Sequence, residues 1–245
     1  MKTEPLGPLN VRRFSKGSGS NDKPALVVVL LHGFGAPGDD LAGLESMIDV
    51  PEGTTLIFPE ALHSMFELTG QRAYGDARCW WMIDMVRMQL AMAAGVDRDL
   101  SKDVPEGLAE ARRAVNGMLD ALAKELPPDA RLVLGGFSQG AMLSLDVALR
   151  DPARKLAGLV QLSGTLIAEP EWRPLLSGAH ARRGLKVFQS HGRADAILSF
   201  AAAERLAKLL SEIPDSEVSF DPFHGPHTIP LQTLKRLSTW IRDLG

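Results

Sequence analysis

Ser138 stands between two glycines in Gly136-Phe137-Ser138-Gln139-Gly140, where the apolar run "RLVLGG" gives way to the helical pattern of "QGAMLSLDVALR". Core packing gives no reason for a hydroxyl at that junction, whereas a serine thrown out of a sharp strand-to-helix turn is placed to act as a nucleophile. Such a turn holds the serine in a strained backbone conformation, and flanking glycines remove the side chains that would collide. It also leaves free N–H groups of the helix N-terminus beneath the hydroxyl, where they can stabilise a developing oxyanion. The plain alternative is a tight turn with a capping serine.

A hydroxyl is a weak nucleophile near neutral pH, so it needs a base, and the base needs a group to orient it. In a strand-turn-helix arrangement of this kind the partners follow in the order serine, acid, histidine, each just beyond a later strand. After "LKVFQS" comes "HGRADAIL", which offers Asp195, and after "SEVSF" comes "DPFHGPHTIP", which offers His227. His224 is the rival base, three residues earlier in the same loop, and His227 is preferred because it directly precedes the "TIP" helix entry. Asp221 is a second acid, on the histidine's own strand end. His32 and His191 each open a His-Gly pair at a strand end and read as backbone-shaping residues. A metal pair of His224 and His227 has Pro226 between them and no cysteine or H-E-x-x-H pattern in support, so neither metal nor cofactor is expected.

A second oxyanion donor belongs in the loop after the early buried strand. In "VVLLHGFGAPGDDL", Gly33 and Gly35 allow the backbone to turn inward, and the N–H of Phe34 joins that of Gln139 as the expected pair. Asp39 or Asp40 is expected to cap the helix that follows.

These groups must be held by a scaffold. "ALVVVLL", "TTLIF", "RLVLGG", "AGLVQLS", "LKVFQS" and "SEVSFD" read as strands, mostly buried on both faces. "LNVRRF" reads as an edge strand turning through "SKGSGSND" into the first buried one, an antiparallel start. Between the strands, Leu108, Ala111, Val115, Met118, Leu119, Leu122 and Leu126 mark one face of a helix, and "FAAAERLAKLL" and "LQTLKRLSTWI" carry similar faces. Alternating strands and helices imply an α/β domain with a mainly parallel sheet covered on both faces. No repeat or linker divides the chain, so residues 1–245 are read as one domain. The stretch from Leu62 to Val104 has little strand signal, and long excursions of this kind are often functional.

Bulk properties restrict the function class. The chain has 245 residues, 45% hydrophobic, with a formal net charge of -3, which gives no electrostatic reason to expect nucleic acid or an anionic membrane as partner. One cysteine, Cys79, excludes an intrachain disulfide and suits a reducing compartment. No apolar run reaches the roughly 18 residues of a membrane span, and the N-terminal residues lack a signal-peptide core, so a cytoplasmic location is expected.

"LLHGFG", "GFSQGAM", "LSG", "HGRAD" and "HTIP" occur in this order along nearly the whole chain. In these residues the sequence resembles the phospholipase/carboxylesterase family of α/β-hydrolases, the group that includes the acyl-protein thioesterases. The resemblance implies Ser138, Asp195 and His227 as a triad, Phe34 and Gln139 as oxyanion donors, and hydrolysis of small-molecule esters or thioesters without a cofactor. Pro226 stands where family members often have glycine. "ARCWWMID" is similar to the family's Trp-containing segment beside the acyl site, followed here by a longer stretch. Met82, Met85, Met88 and Met92 fall there at helical spacing, either as a helix packed on the domain or as a lid or acyl-pocket wall. Trp80, Trp81, Met85 and Leu198 are the expected pocket residues, and Cys79 is read as an inert packed thiol. A fold of this type that binds a small molecule without turnover, or cleaves another bond such as a peptide, is the alternative.

Overall fold

A computed structural model describes residues 2–17, 25–95, 98–178 and 181–244, apart from the side chains of residues 91 and 92. In chain order the strands are β1 (Glu4–Leu6), β2 (Leu9–Ser15), β3 (Leu26–Leu31), β4 (Thr54–Pro59), β5 (His63–Ser64), β6 (Arg78–Cys79), β7 (Arg131–Phe137), β8 (Gly158–Leu162), β9 (Lys186–Gly192) and β10 (Glu217–Phe223). The helices are α1 (Met65–Thr69), α2 (Met85–Ala93), α3 (Leu108–Glu125), α4 (Gln139–Arg150), α5 (Glu169–Trp172), α6 (Phe200–Leu210) and α7 (Leu231–Asp243).

Eight strands form one sheet in the order β1-β2-β4-β3-β7-β8-β9-β10. All pairs from β4 to β10 are parallel, and β1/β2 and β2/β4 are antiparallel. The period-2 alternation of strand side chains divides the core between two faces. Val27, Val29 and Leu31 of β3 point into one cluster with residues of α3, α4 and α6, while Leu26, Val28 and Leu30 point into the other with Leu234, Leu237 and Ile241 of α7. Each buried Val or Leu contributes about 1.5–3 kcal/mol, so a sheet covered on both faces is the stable arrangement for continuous apolar strands.

The antiparallel start is present, but β2 pairs with β4 rather than with β3, and β1 takes the edge. The turn expected over residues 15–22 lies mostly outside the described residues. β10 is not buried on both faces, because it closes the far edge of the sheet. Neither Asp39 nor Asp40 caps the turn of 3-10 helix at Leu41–Leu44: Asp40 itself has helical φ and ψ and makes no capping side-chain bond, and Asp39 lies 3.8 Å from Arg12.

The topology fixes where a site belongs. From β3 the chain moves first to β4 on one side, and β7 then pairs on the other. At such a reversal the loops leaving the two central strands diverge and open a crevice at their carboxyl ends. Those loops carry Gly33-Phe34 after β3 and Ser138 after β7.

Candidate active site

Ser138 adopts φ 54° and ψ −117°, a conformation that costs a non-glycine residue about 1–3 kcal/mol, and it remains partly exposed. The glycines around it answer to contact. A Cβ on Gly136 or on Gly140 would overlap the Leu31 carbonyl oxygen, and one on Gly33 would come 3.3 Å from Ser138 Cβ. The elbow therefore presses directly on the end of β3. A hydrogen bond from the Ser138 N–H to the Leu162 carbonyl at 2.8 Å ties it to β8. α4 begins at Gln139, whose N–H, as a first-turn donor, has no partner within the helix.

Asp195 and His227 are brought together by their loops. The Arg193 N–H donates to the Phe223 carbonyl at 2.8 Å and the Ala194 N–H to that of Gly225 at 3.0 Å, so the loops after β9 and β10 are laced side by side. His227 Nδ1 then lies 2.6 Å from Asp195 Oδ2. Asp195 Oδ1 accepts the N–H groups of Ile197 and Leu198, both at 2.9 Å. Burial alone would raise the Asp195 carboxyl, but hydrogen bonds from His191 and His227 outweigh it and hold the group well below the usual carboxylate range. The Phe137 ring, next to Ser138 in sequence, packs on the His227 ring at 4.8 Å between centroids.

Ser138 and His227 line one cavity of about 480 Å³, with Phe34, Gln139, Trp81, Met85 and Leu198 also in its wall. Trp80 does not line it. That ring is fully buried behind the wall, donating Nε1–H to the His32 carbonyl at 2.9 Å. Gln139 joins the same scaffold through its side chain, accepting the Trp80 N–H at 2.9 Å and donating to the Trp81 carbonyl at 2.8 Å. Met82, Met85 and Met88 all line the cavity. Met82 precedes α2, and the Met92 side chain lies outside the described residues. Met65 at the start of α1 and Tyr74 and Ala77 from the turns after it also line the cavity, in short elements whose sequence carries no periodic signal.

The rivals are placed elsewhere. His224 is exposed and is not a wall residue, and Asp221 is engaged by Arg236 and Thr233. His32 is a clamp: Nδ1–H donates to the Gly33 carbonyl at 2.8 Å and Nε2 accepts the Ala61 N–H at 2.9 Å. Burial lowers it to about 4, so the ring stays neutral. Burial pushes the Cys79 thiol up to about 11, in keeping with an inert side chain. His191 does more than shape the backbone, because its Nε2 lies 3.2 Å from Asp195 Oδ2.

A mainly parallel sheet with helices on both faces, a serine elbow after a central strand, and an acid and a histidine on later loops define an α/β-hydrolase. The sequence profile of the phospholipase/carboxylesterase family matches residues 18–244, and the chain belongs to that family. It is thereby a hydrolase of the esterase and thioesterase group. It is similar to acyl-protein thioesterase 1 of Mycosarcoma maydis, 28% identical over 241 residues that cover 92% of this chain and 91% of the relative. Among solved structures it resembles esterase PE8, with a TM-score of 0.73 and 25% identity over 97% of this chain and 99% of the other. Acyl-protein thioesterase 2 of Zea mays shares the fold, with a TM-score of 0.72 and 22% identity over 96% of this chain and 99% of the other. Among the described residues no helix is long and apolar enough to cross a membrane.

Proposed function

We propose that the chain hydrolyses carboxylic esters or thioesters of small-molecule acyl substrates through an acyl-enzyme on Ser138. Ser138 Oγ attacks the acyl carbonyl carbon while His227 Nε2 accepts the hydroxyl proton, and Asp195 holds the other ring nitrogen protonated and aimed. The negative charge on the carbonyl oxygen is met by the N–H groups of Phe34 and Gln139, each worth about 10²- to 10³-fold in turnover. Collapse of the intermediate breaks the bond to the alcohol or thiol, which leaves with the proton from His227. Water then repeats the sequence in reverse, giving the acid and free Ser138.

The observation that carries this reading is the 2.6 Å bond between His227 Nδ1 and Asp195 Oδ2 beside a cavity that Ser138 and His227 share. That bond fixes the tautomer in which Nε2 is an acceptor, the state a general base requires. The wall near Ser138 is largely apolar, from Trp81, Met85, Met88, Met142 and Leu198, and suits an acyl chain. The lone cysteine supports a cytoplasmic setting as part of the proposal.

The test is a panel of p-nitrophenyl esters of increasing chain length with matching acyl thioesters, run on the wild type and on Ser138→Ala. Each buried methylene contributes about 0.8 kcal/mol, so kcat/KM is expected to climb about fourfold per methylene until the cavity is filled. Ser138→Ala is expected to be folded and inactive on every substrate, and full activity in that variant contradicts the proposal.

A further inference from the structure

Two histidines converge on one oxygen of Asp195. His227 Nδ1 lies 2.6 Å from Oδ2, and His191 Nε2 reaches the same atom at 3.2 Å from the end of β9. His191 Nε2 is also 2.8 Å from the Leu198 carbonyl oxygen. Both neighbours of Nε2 are acceptors, so Nε2 carries a proton; it donates to the Leu198 carbonyl and lies against Asp195 Oδ2. The side chains of His191 and Asp195 are completely shielded from bulk solvent.

The other nitrogen makes the case sharper. His191 Nδ1 is buried and has no hydrogen-bond partner among the described residues. An unsatisfied buried polar atom is unfavourable, and an apolar ring or chain would fill the space beside Phe200 without it. A histidine here is accounted for by what Nε2 does.

We propose that His191 is a positioning residue for the reaction: its Nε2–H pins Asp195 Oδ2 and thereby sets both the aim and the basicity of His227. This inference rests on the serine-hydrolase reading above. The carboxylate accepts the Ile197 and Leu198 N–H groups on Oδ1 and His227 on Oδ2, with His191 Nε2 3.2 Å from the same oxygen. A carboxylate that shares its charge among more donors attracts each of them less. Without His191 the Oδ2 charge is directed more fully at His227, so the imidazolium of His227 is held more tightly and gives up its proton at higher pH. The hydrogen bonds from His191 and His227 are also what keep the Asp195 carboxyl ionised against its burial.

The experiment is the pH profile of kcat/KM for wild type, His191→Leu and His191→Gln, with a p-nitrophenyl ester as substrate. The acid limb reports the free enzyme's base, which must be neutral to act. Other ionisable groups near the base are Asp84, Arg87, Arg98 and Asp103 around the cavity, Arg193 and His224 on the flanking loops, and Arg236 of α7, which is paired with Asp221. All are common to the three proteins, so the comparison isolates position 191.

His191→Leu is expected to move the acid limb up by about half a pH unit and to lower kcat about tenfold, with KM changed by less than about twofold. His191→Gln, whose amide reaches the place of Nε2, is expected to restore the wild-type limb. A Leu profile that superimposes on wild type, or Gln and Leu profiles that are alike, overturns the inference. If thermal melts show that the Leu variant does not fold, Gln is compared with His191→Asn, whose shorter amide reaches only the place of Nδ1. A wild-type limb in Gln with a raised one in Asn supports the role, and equal limbs overturn it. An inactive Ser138→Ala alongside unshifted profiles overturns this inference alone, whereas an active Ser138→Ala overturns the hydrolase reading beneath it.

Discussion

Replacing Asp195 by asparagine is isosteric, yet the hydrogen bonds around the carboxylate make its effect severe. Oδ1 accepts two backbone N–H groups at 2.9 Å each, and Oδ2 accepts from His227 at 2.6 Å with His191 Nε2 3.2 Å away. The single amide oxygen of the Asp195→Asn variant can satisfy only one of these pairs. Turning the amide nitrogen toward Ile197 and Leu198 would set donors against two fixed backbone donors, so the oxygen stays there and the nitrogen faces the histidines. An N–H donor opposite His227 Nδ1 stabilises the tautomer with its proton on Nε2, and that ring cannot accept the Ser138 proton. The expected loss in kcat is about 10⁴-fold, equivalent to about 5.4 kcal/mol of barrier. KM should change by less than about threefold, because Asp195 is not in the cavity wall. Steady-state hydrolysis of a p-nitrophenyl ester measures both, and a thermal melt confirms that the variant is folded. A loss in kcat smaller than about tenfold would refute the assignment of Asp195 as the group that orients the base.

Three further outcomes follow from other parts of the site. Ser138→Gly should be inactive but more stable than wild type, because relief of φ 54°, ψ −117° returns about 1–2 kcal/mol, or about 2–8 °C in Tm; an unchanged or lower Tm contradicts the strain at the elbow. Met85→Ser with Met88→Ser should lower kcat/KM for long acyl chains by about tenfold or more and leave short esters within about twofold, whereas equal losses for both would remove the methionines from the pocket wall. His32 is lowered from 6.5 to about 4, so the unfolded chain binds a proton between those values that the folded one excludes; stability from this group is intact above pH 6.5 and falls by about 3 kcal/mol as pH drops toward 4. Urea denaturation at stepped pH should show a shallower acid loss for His32→Gln than for wild type, and parallel curves would contradict the clamp.

The parts of the fold that were legible in the sequence are those where burial and backbone geometry leave few options. Continuous apolar runs such as Leu26–Leu31 have to be covered on both faces, and a serine between Gly136 and Gly140 marks a turn that a Cβ at either glycine would block. The edge hairpin was hidden because Glu4–Leu6 is only three residues long and contains Pro5, and because antiparallel pairing of β2 with β4 is set by tertiary contact rather than by a local turn. Asp195 and His227 could be placed by their positions after strands, but which side chains share their loops could not. His191 reads as part of a glycine turn because its contact with an oxygen four residues later is made only when the loop folds back. Trp80 and Trp81 are adjacent in sequence and point to different surroundings, one to the His32 carbonyl and one to the cavity, which composition alone does not separate. Methionine spacing pointed to one helical face, whereas Met82 reaches the same cavity from the segment before α2.

The most direct test of the central claim is covalent labelling with a fluorophosphonate, followed by peptide mass spectrometry and repeated on Asp195→Asn and Ser138→Ala. A single adduct on Ser138 is expected in the wild type, much slower labelling in the asparagine variant and none in the alanine variant. An adduct on another residue, or equal labelling of all three proteins, would contradict it.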